Sequence, residues 1–152
     1  MKHLIALICC ACSLFGQAAK GTYTYEKETS LSGAAETVTI HLPAGNRTVR
    51  FVGATVYCSV ACTVTLSRDG PAPTTTAGTA TRLNITNSGA TAVPYHTSNV
   101  GATAPLKNYN LAATEEKIID LVDKGLIPGE NLTLATSAIT GTARIYFQWK
   151  EY

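Results

Sequence analysis

An all-β chain, folded as a single antiparallel β-sandwich, is predicted by three observations. Thr occurs 23 times among the 152 residues, more than any other polar residue. From residue 36 onward apolar and polar side chains alternate with a period of two through most of the chain, which is the pattern of half-buried strands. Clusters of Gly, Pro, Asn and Asp interrupt that alternation at short intervals, and no convincing series of helical patterns lies between the strands. Together they predict about eight or nine short strands in a jelly-roll-like sandwich.

A mass of 16.0 kDa is one domain's worth of chain. Charged residues make up only 14%, against roughly 25% in typical globular proteins, so disorder and coiled coil are disfavoured. The formal charge of +2 supplies no field for nucleic acid, and no nucleic-acid partner is expected.

Residues 1–18 have the layout of a secretory signal peptide: Lys2 and His3, an apolar run over 4–11, then a smaller and more polar stretch ending in Gly16 and Ala18. Gly16 and Ala18 are the small residues that cleavage after Ala18 requires, with Ala19 as the second choice. The apolar run is too short for a permanent span, which takes about 20 residues. Cys12 raises lipid anchoring as an alternative, but Cys9 stands where a lipobox carries Leu. The domain is therefore expected to run over 19–152, secreted, periplasmic or at the cell surface, with no transmembrane segment. Of five Cys it keeps Cys58 and Cys62, an even number suited to a disulfide in an oxidising compartment.

The elements follow in order. Residues 22–30 alternate as Thr-Tyr-Thr-Tyr-Glu-Lys-Glu-Thr-Ser with few aliphatics, which predicts an edge strand that adds little to the core and is the natural connector if the protein self-associates. In residues 36–42, Val38, Ile40 and Leu42 share one face, while Thr37, Thr39 and His41 share the other and are expected to meet solvent. Residues 47–58 continue the pattern, with Gly53 offering a bulge. Cys62, Val64 and Leu66 alternate with Thr63 and Thr65. The three residues 59–61 suit a hairpin, across which Cys58 and Cys62 would face each other. So short a loop is stabilised by only about 2 kcal/mol on the entropy estimate, so the bridge pins a turn. An immunoglobulin sandwich is disfavoured, because its disulfide joins two sheets and a four-residue spacing is expected not to.

Residues 69–78 read as a polar surface loop and 81–85 as a strand, with a turn at 87–89. Residues 92–105 suit an irregular edge as well as a strand, and 107–111 a short strand with Tyr109 and Leu111 on one face. Residues 114–125 fit a helix capped by Thr114 as well as a strand over 117–122 with Ile119 and Leu121 inward; the strand-rich neighbourhood favours the strand, ending in a turn at 123–125. Residues 131–135 follow as a strand. Residues 142–150 are the clearest of all, with Ile145, Phe147 and Trp149 inward and Arg144, Tyr146, Gln148 and Lys150 outward. The ending Pro128-Gly129-Glu130-Asn131-Leu132-Thr133-Leu134, then Thr142-Ala143-Arg144-Ile145-Tyr146-Phe147-Gln148-Trp149, resembles the last two strands of compact jelly-roll domains in phage structural proteins and secreted bacterial binding modules. It covers about 25 residues of common sandwich chemistry and implies no functional residue.

Among chemical motifs, no nucleophile elbow, Ser-x-x-Lys pair, zinc-protease helix, phosphate loop or calcium loop occurs after the signal segment. His41 reads as a strand-surface residue and His96 as a loop residue. Glu115, Glu116, Asp120 and Asp123 could hold calcium or act as an acid and base, but read more simply as a solvated face. No cofactor or metal is expected. Tyr is the most frequent aromatic; Tyr57, Tyr95 and Tyr146 are the candidates for a glycan-stacking platform. Asn46, Asn84 and Asn131 begin Asn-x-Thr triplets that would matter only in a glycosylating host. The expected function is that of a non-catalytic secreted binding or surface-assembly module, with a glycan or other subunits of an assembly as partner and a homo-oligomer as one form it can take. The alternatives are a glycan-binding module and a small secreted hydrolase with a dispersed active site.

Overall fold

The computed structural model describes residues 21–68, 81–82, 90–97 and 104–152. The expectations for residues 1–20, the 69–78 loop, the 83–89 stretch including Asn84, and Cys12 lie outside the described residues. Among the described residues there are eleven antiparallel strand segments, rather than eight or nine: β1 (Gly21–Ala34), β2 (Thr37–His41), β3 (Val49–Cys58), β4 (Cys62–Arg68), β5 (Thr81–Arg82), β6 (Val93–Thr97), β7 (Ala104–Leu111), β8 (Glu115–Ile119), β9 (Gly125–Leu126), β10 (Asn131–Thr136) and β11 (Ile139–Glu151). The surplus is β6, in the 92–105 stretch that suited an irregular edge as well as a strand, and β9, two residues at the expected turn; β5 falls within the expected 81–85 strand. Within the ambiguous 114–125 segment the strand is β8, which starts at Glu115 and ends at Ile119 rather than at 122, the turn falls at 122–123, and Gly125 already belongs to β9; the inward phase holds, with Ile119 and Leu121 buried and Ile118 and Val122 exposed.

The strands form two sheets, ordered β5-β1-β11-β3-β8 with β9 also on β3, and β6-β2-β10-β4-β7. Eight of them pair first with last: β1 with β11, β2 with β10, β3 with β8 and β4 with β7. That is a long antiparallel ribbon folded over on itself, the connectivity of a jelly roll. Consecutive strands of the ribbon lie in opposite sheets except β4 and β7, which pair with each other where the ribbon turns back. Four crossings meet at one end of the sandwich, and each is short: Ala35 with Glu36, residues 59–61, residues 112–114, and Ser137 with Ala138.

This arrangement corrects the expected hairpin. β3 and β4 do not pair, and Cys58 and Cys62 form a disulfide between the two sheets, with Cα atoms 6.5 Å apart. A four-residue spacing can therefore join two sheets, because the chain crosses where they converge and both Cys side chains point inward. The crossing rests directly on β11: a Cβ at Gly141 would lie 2.5 Å from Ser59 Oγ, so only glycine fits there. Ser59 also holds Thr142 through both N→O (2.8 Å) and Oγ contacts, the Thr142 N–H donating to that hydroxyl at 2.7 Å.

Ile145, Phe147 and Trp149 are fully buried, as their alternation predicts. The β3 strand bulges at Val52, since Gln148 pairs with Gly53 but Trp149 with Phe51. Two other expectations fail. β1 contributes substantially to the core: Tyr23 is fully buried with its ring 6.1 Å from that of Trp149, and Tyr25 is buried beside it in the row shared with Phe147. Aromatic side chains bury as much surface as aliphatics, so the shortage of Val, Ile and Leu misled. Thr37 and Thr39 are buried although they face away from the core of β2; Thr39 Oγ1 and Thr133 Oγ1 share a 2.8 Å hydrogen bond across the strands. Small hydroxyls paired with each other need no water.

Candidate functional site

β7 and β8 are the edge strands of the two sheets on the same flank, joined by residues 112–114. Between them lies a groove of about 450 Å³ lined by Leu66, Leu106, Lys107, Tyr109, Ile118, Asp120 and Lys124. Its shape follows from local chemistry. β7 bulges at Leu106, because Leu66 pairs with Lys107 and Ser67 with Pro105, and the extra residue is pushed outward. On β8 Ile119 faces the core, so Ile118 must face solvent, where it is 81% exposed. The Asp120 carboxylate accepts the N–H of Val122 at 3.0 Å, turning the chain and leaving Val122 outside as well. Of the five large hydrophobic side chains exposed among the described residues, four (Leu106, Ile118, Val122 and Ile127) belong to this flank; the fifth is Val52. Phe51 donates its N–H to Lys124 O at 3.0 Å, which sets Val52 beside the same turn.

Polar groups frame that apolar surface. Lys107 Nζ lies 5.0 Å from the centre of the Tyr109 ring, a cation–π contact. Burial pushes the Tyr109 phenol above its ordinary value, and the Asp120 charge adds to the effect. The groove thus presents aliphatic surface, a phenol held protonated, two ammonium groups and one carboxylate already used in a turn.

The three tyrosines named from sequence are not brought together. Tyr57 on β3 and Tyr146 on β11 are diagonal neighbours on the outer face of one sheet, but Tyr95 on β6 lies in the other sheet. The Tyr57 ring is also covered: the Arg144 guanidinium sits 5.6 Å from its centre while reaching Glu116 Oε2 at 2.7 Å and Glu26 Oε1 at 3.9 Å. Burial raises the Tyr146 phenol, with the Glu26 charge contributing second. Tyr95 packs against His41, ring centres 6.3 Å apart. A common stacking platform of these three rings does not exist.

His41 does not project freely into solvent; it is half-buried and its Nδ1 lies 2.5 Å from Asn131 Oδ1 on the neighbouring strand. His96 sits in β6 opposite Val38, in a strand and not a loop. Asn131 is buried, which closes that triplet to modification, while Asn46 is exposed. The four carboxylates also disperse. Glu115 accepts the Ala112 N–H at 2.7 Å and lies 3.7 Å from Lys117 Nζ, Glu116 is taken by Arg144, Asp120 closes its turn, and Asp123 lines a separate surface depression with Arg50. No group of three potential metal ligands gathers among the described residues. No helix among them is long and apolar enough to cross a membrane.

Comparison with protein-family models, with curated proteins and with solved structures gave no match for this chain. The residues that sequence reasoning missed are Leu106, Lys107, Tyr109, Ile118 and Lys124. One signal for them is present: residues 118–127 hold Ile118, Val122 and Ile127 out of phase with the buried Ile119, Leu121 and Leu126.

Proposed function

We propose that this protein is a non-catalytic, secreted binding or surface-assembly module, and that it contacts a partner protein through the flank formed by β7, β8 and β9. The observation that supports this reading is the concentration of Leu106, Ile118, Val122 and Ile127 on one flank around a groove. Protein interfaces combine exposed apolar side chains with a polar rim, and here Lys107, Lys124 and Asp120 form that rim. The partner is a polypeptide and not a glycan on this reading, because the exposed surface is aliphatic and the tyrosines are dispersed or covered. Export is supported by the signal-like residues 1–18 and by the Cys58–Cys62 disulfide.

A photoreactive amino acid placed at Val122 tests the reading in the producing cell. Cross-links to a protein, lost when Ile118 becomes Glu, are the expected result; cross-links to none, with equal yield of folded protein, overturn it. A glycan array and a panel of ester, peptide and glycoside substrates test the alternatives. Glycan binding lost in a Tyr57→Ala or Tyr146→Ala variant, or turnover abolished by His41→Ala or His96→Ala, would replace the proposal.

A further inference from the structure

The groove between β7 and β8 has a neighbour on the same flank. A second concavity, of about 300 Å³, is lined by Arg50, Val122, Asp123, Lys124 and Gly125. Lys124 lines both, so one ammonium group serves two hollows. The backbone fixes its place: Lys124 O accepts the Phe51 N–H at 3.0 Å, and the Lys124 N–H donates to Leu121 O at 2.8 Å. The next residue passes so close to β3 that a Cβ at Gly125 would lie 2.7 Å from Val49 O, a space that only glycine fits.

The cations near these hollows are of two kinds. Arg68 lies 2.6 Å from Glu130, Lys117 3.7 Å from Glu115 and Arg144 2.7 Å from Glu116. Arg50, Lys107 and Lys124 enter no ion pair among the described residues, and these are the three that line the hollows. Two carboxylates line them as well, but Asp120 is engaged by the Val122 N–H at 3.0 Å, which leaves Asp123 against three cations. Covering an unpaired ammonium or guanidinium group is costly unless the partner brings a carboxylate. A second copy of this chain does not bring one, because a two-fold interface sets a patch against itself and positive would meet positive. A lipid surface is flat, whereas Leu106 and Ile118 line a hollow. On β7, Pro105 and the Leu106 bulge obstruct a backbone ladder with another chain, so side chains carry the recognition.

Resting on the reading of this flank as a protein-contact surface, we propose that the partner presents an acidic and apolar segment: an aliphatic side chain seated between Leu106 and Ile118, with a carboxylate on either side, one meeting Lys107 and Lys124 and the other meeting Lys124 and Arg50. Burial supplies affinity, and the charges supply selectivity. Lys107 is steadied for this role by its position 5.0 Å from the centre of the Tyr109 ring. The Tyr109 phenol, which keeps its proton through burial first and the Asp120 charge second, adds a donor for the first carboxylate.

The test uses the purified protein and three synthetic peptides that differ only at two positions, with Asp-Leu-Asp, Asn-Leu-Asn or Lys-Leu-Lys at the centre, followed by NMR titration. At low salt the Asp peptide should bind about fivefold more tightly than the Asn peptide, the combined effect of several partly exposed ion pairs, and the Lys peptide more weakly than either. The preference should shrink as salt is raised, and shifts should fall on Leu106, Tyr109, Ile118 and Lys124. Lys124→Gln should remove most of the preference, while Lys27→Gln, the same loss of charge on β1 at the opposite flank, should leave it intact. Equal affinity for the Asp and Asn peptides, both lost in Ile118→Ser, would overturn the acidic partner and leave the contact surface standing. Absence of binding by any peptide at millimolar concentration would overturn it too, and the cross-links from Val122 would then show whether the surface itself stands. A preference that survives Lys124→Gln, or binding to vesicles of anionic lipid in place of the Asp peptide, would likewise reject it.

Discussion

Glu151 and Glu36 are both buried carboxylates, one near the end of β11 and the other at the entry to β2. Their surroundings differ. Glu151 accepts the N–H of Thr91 at 2.8 and 2.9 Å, that of Ala92 at 2.8 Å and the Trp149 indole N–H at 3.3 Å, so it ties the segment before β6 to the core. Glu36 keeps one buried oxygen, Oε1, without a hydrogen-bond partner. A buried charge whose donors are all in place is part of the architecture. One lacking a donor costs stability, and such a cost persists where another interaction offsets it.

The largest test of that contrast is at the residue that joins Glu151 to the core. Trp149→Ala should lower stability by roughly 3–5 kcal/mol, measured by chemical denaturation, because it opens a cavity beside Tyr23 and removes a donor from Glu151. A loss below about 1 kcal/mol would mean that the Trp149 row is not the core. Glu151→Ala should follow at about 2–4 kcal/mol, since it leaves the Thr91 and Ala92 amides and the indole without their acceptor. Combined with Trp149→Ala its effect should be less than additive, because the two side chains share a hydrogen bond.

Glu36→Leu should behave in the opposite way. Replacing an incompletely satisfied buried carboxylate by an apolar side chain is expected to leave stability unchanged or raise it by up to about 1 kcal/mol. A loss comparable to that of Glu151→Ala would place Glu36 among the architectural residues and remove the distinction.

Much of the fold was legible because strand alternation is local. β11 reads directly from the alternation of Ile145, Phe147 and Trp149 with polar neighbours, and β8 from the inward phase of Ile119 and Leu121. Sheet membership was not legible. A three-residue link such as 59–61 can close a hairpin or cross between sheets, and the distant strands decide which. The carboxylates were hidden for the same reason: Glu36 meets Thr136, 100 residues away, and Glu151 meets Thr91, 60 away. The groove was hidden because β7 and β8 adjoin only once both sheets are assembled, whereas Tyr57, Tyr95 and Tyr146 had only their outward phase to recommend them.

A milder probe of β1 uses pH. Tyr25 holds its proton more tightly when folded, first through burial and then through Glu36, so its pKa is raised above 10.0. For such a group the folded state binds the proton better, and its stabilising contribution is complete below pH 10 and is lost as pH rises through the folded value. The protein should therefore lose stability as pH climbs above about 10, and Tyr25→Phe should flatten part of that decline. An unchanged slope would assign the decline to Tyr109 and Tyr146, whose phenols are raised as well.

The smallest expected change in stability is at Ile118, and for that reason it is the sharpest probe of the contact surface. Its side chain is directed away from the core by the phase of β8, so Ile118→Ser removes almost no buried area. Thermal and denaturant midpoints should move by less than about 0.5 kcal/mol equivalent. An interface is affected differently, because an exposed Ile that becomes buried on association contributes about 1.5–3 kcal/mol of apolar burial, which is one to two decades in affinity. The variant should thus fold as the parent does and lose its protein cross-links at Val122. A stability loss well above that limit would show that the flank is packed against another part of this chain, and the apolar surface between β7 and β9 would then belong to the fold and not to a partner.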